Sequence, residues 1–121
     1  MQPDNDILIV EDEAPIAQLL ADVLQDEGYN VRVARDGASA LLEIMEHSPG
    51  LVLLDIAMPV MLGSDLLVYL RRHGFADLPI IIMTAGLSPT VYLRQGATEV
   101  LPKPFNVDDV VHKVAQYVPL R

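Results

Sequence analysis

A single α/β domain, its parallel sheet wound on both faces by helices, is what this sequence predicts, and three features carry that prediction. Short unbroken apolar runs recur along the chain: ILIV at 7–10, LVLL at 51–54 and PIIIM at 79–83. Runs that are apolar throughout are buried on both faces, as in a parallel sheet covered by helices on each side. Between the runs lie stretches whose apolar residues return every three or four positions, the helical period. Polar residues able to do chemistry stand immediately after the runs: Glu11, Asp12, Asp55, Thr84 and Lys103.

The elements follow in order. Ile7 to Val10 is a buried strand. Pro15 suits the first turn of a helix whose apolar positions are Ile16, Leu19, Leu20, Val23 and Leu24, and Gly28 stops it. YNVRVA, 29–34, alternates and reads as a strand nearer an edge. ASALLEIMEH, 38–47, predicts a helix with Leu41, Leu42 and Met45 inward, and SPG ends it. LVLLD is the third strand. GSDLLVYLRRHG, 63–74, is a third helix with Leu66, Leu67 and Leu70 inward. Pro79 to Met83 is the fourth strand. Ser88-Pro89 caps a short helix running to Gly96, EVL at 99–101 is a brief fifth strand, and Asn106 caps a last helix. Asp108 and Asp109 occupy its first turn, favourable at the positive end of the dipole, and Val107, Val110, Val111, Val114 and Val118 form its inner stripe.

Composition bounds the function. The chain has 121 residues, 51% of them hydrophobic, which suits one domain with a sizeable core and excludes a disordered chain. No apolar run is long enough to span a bilayer and no leader precedes the first strand, so a soluble cytoplasmic protein is expected. There is no cysteine, hence no disulfide framework, thiol nucleophile or thiolate metal site. The net charge of −9, from 8 basic and 17 acidic residues, argues against direct nucleic-acid binding and suits metal cations or basic patches on partner proteins.

In a doubly wound sheet, ligands bind beyond the carboxyl ends of the strands. The acids after the first and third runs, Thr84 and Lys103 all stand at such ends. Converging carboxylates repel by about 4 kcal/mol per pair at roughly 4 Å and an effective dielectric of ~20. A divalent cation offsets that, and oxygen-only ligands favour Mg²⁺ over zinc. Mg²⁺ commonly shares its shell with a phosphate oxygen, so the set reads as a phosphoryl site. Acids hold the metal, a carboxylate serves as nucleophile, and Lys and Thr bind phosphoryl oxygens. Glu13 reads as a solvated helix cap. His47, His73 and His112 lie on three different helices without metal-ligand spacing and read as surface residues. Asp65, Asp77, Asp108 and Asp109 read as capping or solvated, and Met45, Met58, Met61 and Met83 as core or loop packing.

ILIVEDE, VLLDIAMPVMLG, IIIMTA and LPKPF, in that order over essentially the whole chain, resemble the receiver domain of two-component response regulators. The resemblance implies a flavodoxin-like, five-stranded sheet of order 2-1-3-4-5. Since the chain ends soon after the last helix, a single receiver domain over 1–121 without an output domain is expected. The resemblance also implies Asp55 as phosphoacceptor, Glu11 and Asp12 as the Mg²⁺-holding acids, and the Ala57 backbone carbonyl as a further ligand, with Mn²⁺ as a substitute metal. Met58-Pro59 and Gly63 match the loop after the acceptor, whose stiffness fixes that carbonyl. The resemblance further implies that Thr84 contacts the phosphoryl group, that Lys103 pairs with it, and that the Lys103–Pro104 bond is cis. The partners implied are a sensor histidine kinase or histidine phosphotransfer protein and a downstream protein target, with no direct nucleic acid and no membrane. The chain would be no enzyme beyond its own phosphotransfer and dephosphorylation.

Two rival readings are weighed. A pseudo-receiver adaptor would have lost part of the acidic and lysine set, which is complete here. A phosphatase-like hydrolase needs a general acid two residues after the nucleophile, where this chain has Ala57. Ala57 and Gly86, both small, occupy the positions that gate water, so little shielding of the phosphoryl group is expected. Val100 stands where relatives carry Tyr or Phe, so no ring can report the site by turning inward. Between Gly86 and Gly96 there is room for at most about two helical turns. A truncated fourth helix is expected, with an altered face around the fourth and fifth helices. Signalling would then rest on the loop around Gly86 and Leu87 moving with Thr84, and on Tyr92.

Overall fold

The computed structural model describes residues 6–56, 63–86 and 89–119. Ten elements alternate: β1 (Asp6–Val10), α1 (Ala14–Asp26), β2 (Asn30–Ala34), α2 (Gly37–Glu46), β3 (Leu51–Asp55), α3 (Gly63–Arg72), β4 (Ile80–Thr84), α4 (Pro89–Arg94), β5 (Glu99–Pro102) and α5 (Val107–Tyr117). The five strands form one sheet of order β2-β1-β3-β4-β5, parallel at every pairing. This is the doubly wound sheet that the alternating runs and helices predict, with the flavodoxin-like strand order that the receiver-domain resemblance implies. Among the described residues no helix is long and apolar enough to cross a membrane.

Why the central runs are apolar throughout is plain from the two cores. Leu8, Val10, Val52, Leu54, Ile80 and Ile82 face the layer containing α2 and α3. Their strand neighbours Ile7, Ile9, Leu51, Leu53, Ile81 and Met83 face the layer containing α1 and α5. Successive side chains point to opposite faces, so a strand covered twice has no polar position to spare. β2, at the sheet edge, is only partly buried. Asp6, buried at the far end of β1, is paired with Arg32 at 2.9 Å, and Arg32 also reaches Glu43 at 2.7 Å.

Two helix faces differ from the sequence reading. Leu42 and Met45 point outward from α2, 65% and 59% exposed, while Ala40 and Ile44 are buried and Leu41 packs at the margin. Met45 is therefore a surface residue rather than core. In α1, Leu19 is half exposed and Ala17 and Ala21 are buried beside Leu20 and Leu24. The reason is the same in both: small alanines fill positions facing the sheet, and a reading weighted by large apolar residues rotates the stripe away from them. In α3 and α5 the inner positions are Leu and Val, and there Leu66, Leu67, Leu70, Val110 and Val114 are all buried.

Asn106 caps α5, its side chain accepting from Asp109 N at 2.9 Å. Glu13 stands at the N-cap of α1 but its side chain makes no capping bond, and Pro15 lies in the first turn. Ser88, the expected cap of α4, lies outside the described residues. α4 has six residues and none of them buried. Tyr92 is its half-buried side chain, packed with Val100 against the α2/α3-side core, while Val91 and Leu93 are exposed.

Gly96, which ends α4, has φ +113°, a left-handed value that side chains rarely adopt. A Cβ there would lie 2.8 Å from Arg71 Cγ. That arginine is a clamp. It donates to the carbonyls of Gly96 at 2.8 Å and Phe75 at 2.6 Å, and to Thr98 Oγ1 at 3.3 Å. Gly96→Ala is therefore expected to destabilise by about 2–3 kcal/mol, left-handed strain of roughly 1–2 kcal/mol plus weakened Arg71 bonds. Gly74 has a similar φ of +100° but open space around it, so Gly74→Ala should cost only the strain. Urea denaturation of both variants checks the ordering; equal losses would show that the clamp contributes nothing.

Candidate functional site

The carboxyl ends of the strands form one rim, and the residues there come from separate elements. Glu11 and Asp12 follow β1, Asp55 is the last residue of β3, Thr84 the last of β4, and Lys103 follows β5. Glu11 N donates to Ala34 O of β2 at 3.1 Å, which carries the β1 backbone one step beyond the strand and turns Glu11 inward. Glu11, Asp55 and Thr84 are buried and Asp12 is half-buried.

Three carboxylates meet. Single ligand oxygens of Glu11, Asp12 and Asp55 all lie within 4.8 Å of one another. Lys103 Nζ lies between two of them, 3.4 Å from Glu11 Oε1 and 3.4 Å from Asp55 Oδ1. Burial, and then the neighbouring Asp55 charge, push the Glu11 carboxyl up from 4.5 to about 7, with Lys103 opposing. Burial alone would lower the Lys103 ammonium, but the Glu11 and Asp55 charges outweigh it and hold the group above its ordinary value. Among the described residues Lys103 is the cation paired with Glu11 and Asp55, and the three acids offer only oxygen donors. That set suits a hard divalent cation of the Mg²⁺ class and does not suit zinc.

Thr84 stands one step beyond the Asp55–Met83 register on the neighbouring strand. Its hydroxyl accepts from Gly86 N at 2.9 Å, and its carbonyl accepts from Lys103 N at 2.7 Å. Thr84 is therefore tied to Lys103 through the backbone, with the hydroxyl proton left to donate. Gly86 is exposed, and a Cβ on it would lie 3.1 Å from Thr84 Oγ1. The Lys103–Pro104 peptide bond is cis.

The residues picked from the sequence as an acid and amine set, Glu11, Asp12, Asp55 and Lys103, are brought together. Thr84 lies on the same rim with its hydroxyl bonded to Gly86. The Ala57 carbonyl and side chain, Met58-Pro59, Met61 and Leu87 lie outside the described residues. Val100 is half-buried beside Tyr92. The sequence reading passed over Arg35, whose guanidinium donates to the Asp12 carbonyl at 3.0 Å. The available signal was a cation one residue past the second strand, on the rim that carries the acids.

Residues 7–115 match the model of the response regulator receiver domain. The transcriptional regulatory protein CpxR of Escherichia coli K12 is 40% identical over 113 residues, covering 91% of this chain and 47% of that protein. The chain thus spans about half the length of that curated relative. Among solved structures, a response regulator from Chloroflexus aurantiacus superposes with TM-score 0.90 at 31% identity, covering 98% of this chain and all of the other. The Thermotoga maritima response regulator TrrA, solved in complex with Mg²⁺-BeF, gives TM-score 0.84 at 34% identity, covering 93% of this chain and 97% of the other.

Proposed function

This chain belongs to the response regulator receiver domain family of two-component systems, and from that premise we propose that it is a phosphorylation switch whose acceptor is Asp55. The phosphoryl donor is the phosphohistidine of a sensor histidine kinase or phosphotransfer protein, and the output is a contact with a downstream protein. The observation that carries the reading is the meeting of Glu11, Asp12 and Asp55 at the carboxyl end of the sheet, with Lys103 bridging Glu11 and Asp55. In this reading the chain acts as a single receiver unit in the cytoplasm, and its only catalysis is of its own phosphorylation and dephosphorylation.

Glu11, Asp12 and Asp55 would hold Mg²⁺, joined by the Ala57 carbonyl, with Mn²⁺ able to replace it. The complex of TrrA with Mg²⁺-BeF supports that choice. Bound there, the cation would neutralise the carboxylates and draw charge from the phosphoryl oxygens. The remaining steps belong to the chain's own groups. An Asp55 oxygen attacks phosphorus, the bond to the histidine nitrogen breaks, and that nitrogen leaves with the electron pair and takes up a proton. Lys103 moves from bridging Glu11 and Asp55 to facing a phosphoryl oxygen. Thr84 can donate its hydroxyl proton to another while keeping the Gly86 bond. Gly86 is exposed and carries no side chain, and Ala57 is small by sequence, so the lifetime of the acyl phosphate is expected to be set chiefly by Lys103, Thr84 and solvent.

The test is label transfer from a phosphorylated histidine kinase or from acetyl phosphate. A hydroxylamine-labile label that appears with Mg²⁺ and vanishes with EDTA is expected. Label that forms equally well in EDTA, or none from any donor, sinks the proposal.

A further inference from the structure

We propose that Arg35 is a positioning residue for the metal-holding acids, an inference that rests on the Mg²⁺ reading above. Glu11 and Asp12 sit in an irregular segment between β1 and α1. Consecutive residues at the end of β2 tether that segment on either side of Asp12. Ala34 O accepts from Glu11 N at 3.1 Å, and the Arg35 guanidinium donates to Asp12 O at 3.0 Å. Beyond Asp12, Glu13 O is held by Ile16 N and Ala17 N at 3.1 and 3.0 Å, the first turn of α1. The peptide preceding Glu11 is thus fixed by the sheet, and the peptide following Asp12 by Arg35.

Asp12 is the acid that most needs such a hold. Glu11 and Asp55 are enclosed by the core, whereas Asp12 is half-buried and packing alone restrains it less. Turning the peptide between Asp12 and Glu13 swings the Asp12 Cα–Cβ direction, and with it the carboxylate. A guanidinium bond to the carbonyl opposes that rotation, and a charged donor makes it stronger than a neutral one. A planar fork loses less freedom on bonding than an ammonium on a flexible stem.

Charge alone argues the other way, which makes the inference decidable. A cation close to the acids repels Mg²⁺, so deleting Arg35 would tighten Mg²⁺ binding if the residue acted only through its field. If it acts by holding the Asp12 backbone, deleting it weakens binding. Partners behind metal ligands typically contribute ~10–100-fold in affinity, and an exposed clamp on a backbone oxygen belongs at or below the low end.

The experiment titrates Mg²⁺ into the whole chain by calorimetry, for wild type, Arg35→Met and Arg35→Lys. Each is also melted in EDTA and phosphorylated with acetyl phosphate at saturating Mg²⁺. The expected result is a Kd for Mg²⁺ raised about 3–10-fold in Arg35→Met. Arg35→Lys should fall between it and wild type, with metal-free melting unchanged and saturating-Mg²⁺ rates restored. Equal or tighter Mg²⁺ binding by Arg35→Met overturns the inference while leaving the phosphorylation reading intact. So does a phosphorylation rate that stays low at saturating Mg²⁺, because Arg35 would then act on the phosphodonor. Absence of Mg²⁺ binding by wild type overturns both readings together.

Discussion

Asp55→Asn is expected to abolish phosphoryl acceptance and, in the absence of metal, to raise the melting temperature. The two effects have one cause. Asp55 is buried with Glu11 and Asp12, their ligand oxygens within 4.8 Å, and Lys103 is the cation bridging Glu11 and Asp55. Each like pair at that distance costs about 3 kcal/mol at an effective dielectric of ~20. At pH 8, where Glu11 is ionised, the amide removes one charge from two such pairs and also removes one attraction to Lys103. The net gain is expected to be about 1–2 kcal/mol, a rise of roughly 4–8 °C for a chain of this size. Thermal melts in EDTA should show it. In saturating Mg²⁺ the order narrows, because only wild type offers the full ligand set. A variant that melts below wild type in EDTA would show that Asp55 is not a net repulsive charge, and one that still takes label from acetyl phosphate would show that it is not the acceptor.

Metal-free stability is expected to fall as pH rises from about 4.5 to about 7, and Mg²⁺ is expected to remove that slope. The folded Glu11 carboxyl is held up to about 7 against an ordinary 4.5, by burial first and Asp55 second. The folded chain therefore keeps this proton where the unfolded chain has released it. Stability from the protonated carboxyl is complete below the unfolded value and is lost as pH climbs through the folded one. The gap between 4.5 and about 7, at ~1.36 kcal/mol per pH unit, sets the loss at roughly 3 kcal/mol. Glu99 acts in the opposite sense: its hydrogen bond from Tyr117, and then Lys113, hold it below the ordinary value. Its contribution is present above about 4.5 and disappears in stronger acid, outside the Glu11 window. Urea denaturation at pH 5, 6, 7 and 8, with EDTA or Mg²⁺, measures the slope, and Glu11→Gln isolates it. If Glu11→Gln keeps the same slope, the acid is not the group responsible. Mg²⁺ takes the place of the proton, so its apparent affinity should rise over the same interval.

The sequence was most legible where burial and chemistry share a period. Short continuous runs such as Ile80–Met83 read as strands covered on both faces, and they are buried throughout. Polar residues following such runs must emerge at one end of a parallel sheet, so Glu11, Asp12, Asp55, Thr84 and Lys103 could be placed together before any coordinate was known. The short α4 was legible too, because the spacing from Gly86 to Gly96 leaves no room for more. Legibility failed where side-chain size and position in the helix disagree. Leu19, Leu42 and Met45 are large and apolar, yet they are exposed, while Ala17, Ala21, Ala40 and Ile44 are buried.

The order of elements and the identity of the groups at the strand ends follow from local patterns along the chain. The tertiary structure alone decided how those groups act on one another. That Glu11 is the acid most enclosed, that Lys103 bridges it to Asp55, and that Arg35 reaches the Asp12 carbonyl depend on distances between residues up to 92 positions apart. A pKa, a cation's repulsion or a hydrogen bond is set by angstroms and by exclusion of water, and no periodicity in a sequence encodes either.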